Sequence, residues 1–307
     1  MITSVFSKSK PINFLIVFLI TVLAFSIVKF RYFQEPLSAV VIAKQTAIFL
    51  LVYLSVLLLN FVVNKNSLTQ KNNLEILLFG LFFLIMPESL IDSNVIAANF
   101  LVLLALRRLL SLRSNKNVKQ KLLDAALWIA LASLFSFWAI LFFVLIIIAL
   151  LLYTDNDIKH WVIPFVGLIT IFVISVSASI LLYGEYFMFL KSKPYLSLDF
   201  SMYNSISFWV AITLFFSFGL WSTFYYLNSL RKKMKMVRPS FKLVFAALVI
   251  AFVIIVISPN KNGSEFLFFF APLAIIITNY IESISEKWFK EVFLAILVLT
   301  PIVLLML

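Results

Sequence analysis

The chain has 307 residues, of which 64% are hydrophobic and 12% charged, and its mean hydropathy is +1.11. That leaves too little polar surface to cover a water-soluble globule; apolar runs of about 20 residues recur, so the sequence specifies membrane-crossing helices and not barrel strands. The lack of cysteine excludes disulfides, thiolate metal sites and cysteine nucleophiles, and the net charge of +12 lies in short loops, where orientation and anionic headgroups explain it without a nucleic-acid partner.

Lys8 and Lys10 precede the first apolar stretch, which resembles a signal peptide but lacks a small-residue cleavage site and is read as a retained first span, about Ile12 to Val28. The loop KFRYFQEP follows, closed by Pro36. Span two, roughly Ser38 to Val63, leads to a loop carrying Lys65 and Lys71, and span three, about Leu74 to Met86, stops at Pro87, because proline discourages helix continuation.

Orientation is declared next. Glu88 and Asp92 precede the apolar run Val95 to Leu106, and Arg107, Arg108, Arg113, Lys116, Lys119 and Lys121 follow it; basic short loops stay cytoplasmic, so the two acids face outward. From Leu122 to Tyr153 the apolar stretch is too long for one crossing and short for two. Two short helices turning near Phe135, Ser136, Phe137 and Trp138 keep the later run Arg231 to Arg238 inside, so the hairpin is preferred.

Spans seven (about Trp161 to Tyr183) and eight (Ile206 to Leu227) flank the longest outer loop, whose YFMFL and YLSLDF pieces read as interfacial segments. Spans nine (Phe241 to Ile257), ten (Phe266 to Tyr280) and eleven (Val292 to Met306) follow. In this scheme only Lys29, Arg31, Lys191, Lys193 and Lys261 among the cations lie on the outer side, with Lys44 inside span two. The expectation is an all-α, polytopic transmembrane helix bundle of about eleven spans forming one domain over residues 1–307, N-terminus cytoplasmic and C-terminus outside.

No phosphate-binding loop, HExxH or GxSxG motif occurs, and one histidine with five glycines leaves no basis for a metal box or a cofactor loop. Six acids, Glu35, Glu88, Asp92, Glu185, Asp199 and Glu265, collect on the outer side. Asp92 has an alternative role as a cap of span four, and Glu265 as a complement to the dipole of span ten. The sharper reading makes Glu35, Glu88 or Asp92 a general base or metal-binding carboxylate at the membrane surface. Lys44, about six residues into span two, either snorkels outward, pairs with Glu35, Glu88 or Asp92, or holds a phosphate. Asn99 belongs to a set of small polar residues that line an interior or serve helix packing. In SPNKNGSE, Pro259 ends one helix, Gly263 allows a tight turn, Ser264 is placed to cap the next, and Lys261 beside free N–H groups offers an anion site.

The stretch LRRLLSLRSNKNVKQKLLDAALW, with NFVVNKNSLT, the PESLIDSN turn and NGSEFLFFFAPLAIIITNYIE, resembles a family of inner-membrane proteins from Bacteroidota of uncharacterised activity. The resemblance implies a multi-pass protein of a Gram-negative cytoplasmic membrane. The hairpin LASLFSFWAILFFVLIIIALLLY after a basic inner loop is also similar to GT-C glycosyltransferases, which use polyprenyl-phosphate sugars and carry an acidic catalytic residue in a substantial first outer loop. Here that loop is short, with Glu35 as its acid.

Three functions are therefore expected to compete. The first is an enzyme on a lipid-linked, polyprenyl-phosphate type substrate at the periplasmic face, with Glu35, Glu88 and Asp92 as catalytic candidates and Lys44, Lys261 and Asn99 binding substrate. The second is a non-catalytic subunit or scaffold with a membrane-protein partner in an envelope complex. A transporter is third, disfavoured by the lack of internal repeats and of buried charge.

Overall fold

A computed structural model describes residues 5–32, 36, 38–153, 158–188, 195–259 and 261–306. Among these there are eleven α-helices and no strand: α1 (Pro11–Tyr32), α2 (Ala39–Asn66), α3 (Leu74–Ile85), α4 (Ser93–Leu110), α5 (Val118–Phe135), α6 (Phe143–Tyr153), α7 (Ile158–Tyr183), α8 (Ile206–Leu230), α9 (Arg238–Ile257), α10 (Leu267–Ser283) and α11 (Lys287–Met306). They follow the expected spans in order. Seven of the helical stretches are long and apolar enough to cross a membrane, while α3 and the Phe137–Tyr153 stretch are apolar but shorter.

Several helices outrun their apolar windows, because backbone hydrogen bonding continues until a cap or a breaker intervenes. Ser38 Oγ accepts from the Val41 N–H at 3.3 Å and starts α2; Ser67, at φ 52°, closes it in the left-handed conformation. Ser205 Oγ caps α8 through the Phe208 N–H, also at 3.3 Å. Pro87 opens a 3-10 turn (Pro87–Leu90) that ends α3.

The chain divides into two compact units interleaved along the sequence: Met1–Ile96, Asp199–Lys233 and Lys261–Leu307 form the first, and Ala97–Leu198 with Met234–Asn260 the second. In the first unit, α3 and α10 occupy the core. Every residue of α10 from Leu267 to Ile281 is buried, and α10 packs on both α3 and α8. Burial by itself does not specify such packing; shape and ring geometry do. Phe82, Phe215 and Phe270 supply that geometry, with centroids 5.2 to 5.6 Å apart, each such pair contributing about 0.5–1.5 kcal/mol.

Polar contacts fix the relative directions of these helices. Tyr32, at the end of α1, reaches Glu88, just beyond the end of α3, so α1 and α3 run together. Asn279, late in α10, donates to Leu68 O at 2.9 Å, ahead of α3, so α10 runs against α3. Trp221 of α8 donates to the Tyr280 hydroxyl at 2.6 Å while Tyr203, ahead of α8, reaches Glu265, ahead of α10; α8 and α10 are parallel. The unit thus has a Gly263 end and an Asn72 end.

In the second unit the helix breaks at Ser136, in extended conformation, within the expected turn region; a 3-10 stretch (Phe137–Phe142) then leads into α6, which touches α5. The basic stretch before α5 is internally tied. Lys121 Nζ donates to Ser111 O (2.6 Å) and Ser114 Oγ (2.7 Å), and Arg108 pairs with Asp124 at 3.0 Å. Being partly exposed, that pair contributes at most about 1 kcal/mol. The α5–α7 contact is close because Gly167 lacks a side chain: a Cβ there would lie 2.8 Å from that of Ala126.

Candidate functional site

At the Gly263 end of the first unit, three short segments meet: the 3-10 turn carrying Glu88, the Lys261–Phe266 turn, and the Asp199–Tyr203 approach to α8. Gly263 is at φ 94°, a left-handed conformation that side chains resist, and an added Cβ would fall 2.8 Å from Glu88 Cβ and 3.1 Å from the Phe208 ring. Glycine at this position is what lets the Glu88 turn approach the 261–266 turn.

Two buried glutamates thereby flank one glycine. Tyr32 donates its hydroxyl to Glu88 Oε1 at 3.1 Å, and Glu88 is 8% exposed. Glu265 is 2% exposed; its Oε1 accepts from the Tyr203 hydroxyl and from the Gly263 N–H at 3.2 Å, whereas its Oε2 is buried without a hydrogen-bond partner. Burial, reinforced by the charge and hydrogen bond of Glu265, raises the Tyr203 phenol well above its ordinary value.

Lys261 is also buried, 2% exposed, with its ammonium 4.7 Å from the Phe200 ring centroid. Desolvation pulls this ammonium below the usual lysine range, opposed by Glu265 and by Asp199. Asp199 is itself held below the ordinary aspartate value by hydrogen bonds from Ser201, whose N–H donates at 2.9 Å, with Lys261 adding to the effect. The result is a compact arrangement of acids, one lysine and two phenols, with aromatic rings as its walls.

The other expected site residues are distributed differently. Glu35 falls outside the described residues. Asp92 Oδ1 accepts from the Asn94 N–H at 2.8 Å and so caps α4, the plainer of its two expected roles. Lys44 is exposed and makes no ion pair with Glu88 or Asp92, contrary to the pairing with those two acids; the register of α2 turns it outward, and Glu88 takes its hydrogen bond from Tyr32. Asn99 is buried within α4, in the second unit, where Glu185 is exposed. The expected anion site of free N–H groups around Lys261 is replaced by internal bonding: Gly263 N–H serves Glu265, and Ser264 N–H and Oγ serve Asn262 Oδ1 at 3.0 and 2.6 Å. Ser264 is consequently no cap of α10.

Sequence reasoning also missed the Asn72 end. Glu282 Oε1 accepts from Asn72 Nδ2 at 2.6 Å and from the Gln70 N–H at 2.8 Å, and Glu75, wholly buried, has no hydrogen-bond partner on either oxygen. Among the described residues no group of three or more acids, histidines or cysteines is arranged to hold a metal ion.

A family model described as a family of unknown function (DUF6427) matches residues 1–306. No curated protein and no solved structure matches the chain.

Proposed function

The chain belongs to this family of unknown function across essentially its whole length, and from that premise we propose that it is a multi-pass protein of a Gram-negative inner membrane that handles a phosphate-bearing, lipid-linked substrate at its Gly263 end. The observation that carries the proposal is the burial of Lys261 and Glu265, next to Glu88, on the short segments that follow or precede apolar helices. Ionisable groups buried beside helices of membrane-crossing length are costly and mark a substrate or ion path by default. The charge bias of the loops supports a periplasmic position for this end.

The chemistry that suits these groups is glycosyl transfer from a polyprenyl-phosphate sugar. Glu88 takes the proton of an acceptor hydroxyl as that oxygen bonds to the anomeric carbon; the bond from that carbon to the phosphate oxygen breaks, and the electron pair leaves with the phosphate, whose charge Lys261 offsets. Asp92 is committed to its helix cap and takes no part.

One observation favours a second reading, a non-catalytic subunit. The hydroxyls of Tyr32 and Tyr203 already engage Glu88 and Glu265, so the same acids can serve as fasteners between segments. Purification in mild detergent with mass analysis separates the readings. A polyprenyl-phosphate lipid retained by the native protein and lost in Lys261→Met, with the apparent Tm preserved, supports the enzyme; a stoichiometric protein partner without such a lipid rejects it in favour of the subunit.

A further inference from the structure

The Asn72 end of the first unit carries a cavity of about 610 Å³ between the ends of α8 and α10 and the start of α11. Its walls include Trp221, Tyr225, Tyr280 and Trp288, and its polar lining includes Lys232 and Glu286. The volume is in the range of about 300–1,000 Å³ typical of small-molecule sites.

The aromatic wall is organised. Trp221 Nε1 donates to the Tyr280 hydroxyl at 2.6 Å, and the Tyr225 ring lies 5.0 Å from that of Tyr280 and 5.4 Å from that of Trp221. Trp221 and Trp288 nonetheless remain 53% and 65% exposed, as amphipathic indoles do at the headgroup level of a bilayer. Lys232 and Glu286 line the same cavity, both exposed, yet no ion pair joins them within 4.0 Å. The cavity thus presents one cation and one anion that do not pair with each other, against rings whose faces attract cations.

A ligand complementary to that lining carries one phosphate and one ammonium on an apolar body. We infer that this cavity binds the headgroup of a zwitterionic phospholipid of the ethanolamine type, phosphate toward Lys232 and ammonium toward Glu286 and the rings. The site is separate from the Gly263 end and does not depend on the substrate proposed there. It lies where α8 and α10 both finish, so a bound lipid ties the α10–α11 connection to the end of α8.

The test uses the full chain, delipidated in detergent, with the apparent Tm followed as dioleoyl phosphatidylethanolamine, dioleoyl phosphatidylglycerol or inorganic phosphate is titrated in. Phosphatidylethanolamine should stabilise the protein saturably, and Lys232→Gln and Glu286→Gln should each weaken that response by about tenfold or more, the loss of one charged hydrogen bond. Both residues are exposed, so the lipid-free Tm of each variant should match that of the native protein. Phosphatidylglycerol should respond to Lys232→Gln but not to Glu286→Gln. A phosphatidylethanolamine response unchanged by Glu286→Gln, or a full effect from inorganic phosphate alone, overturns the inference.

Discussion

Gly263 stands directly against Glu88: a Cβ on the glycine would come within 2.8 Å of the Cβ of the glutamate, on a backbone already at φ 94°. Gly263→Ala therefore meets two penalties at once, left-handed strain of about 1–2 kcal/mol and crowding of about 1–3 kcal/mol. The expected outcome is a loss of about 2–5 kcal/mol, read as a marked fall in apparent Tm in detergent. A neutral alanine variant would show that the two turns can separate freely.

Tyr203→Phe removes one donor from Glu265 while leaving that carboxyl buried, and should cost about 1–3 kcal/mol. It should also change the alkaline limb. The native phenol keeps its proton above its ordinary value, whereas in the unfolded chain it ionises near pH 10, so above about pH 10 the folded state binds more protons and stability falls as pH rises. Unfolding followed from pH 9 to 11 should show that extra decline in the native protein and a shallower one in the phenylalanine variant.

Lys44→Ala should be nearly silent, within about 0.5 kcal/mol, because the ammonium is exposed and neither Glu88 nor Asp92 relies on it. A large fall in Tm would restore the buried pocket expected from sequence. The sequence supplied the depth of Lys44 along α2 but not its azimuth: a helix apolar on nearly all sides has no periodic stripe to say which face meets protein and which meets lipid. For the same reason the burial of Glu75 was hidden beside a polar loop.

Other features were legible because local chemistry decides them. The break at Ser136 follows from the length of the apolar run, the end of α3 from Pro87, and the left-handed turn from Gly263. The contact between Tyr203 and Glu265 was not legible, since the two are 62 residues apart and meet only because α8 and α10 pack in parallel. The acid of the NGSE turn was visible, but its phenolic partner Tyr203 was not.

Gly167→Ala tests packing in the second unit. The new methyl group would meet Ala126 Cβ at 2.8 Å and Leu123 O at 3.3 Å, neither of which can swing aside as a long side chain would. The expected cost is about 1–3 kcal/mol, and Ala126→Gly in the same chain should recover part of it. Absence of any recovery would place the strain elsewhere.

The interleaving of the two units, combined with the burial of α10 from Leu267 to Ile281, imposes an order on assembly. Residues 97–198 and 234–260 are synthesised before α10 exists, so α3 and α8 must wait with the face that α10 covers unfilled. A chain truncated before residue 261 leaves α3 with α1 and α2 but without α10, so one of its buried faces stays uncovered. The first unit is accordingly completed only by a segment made after the whole of the second unit, so its packing is settled late in synthesis.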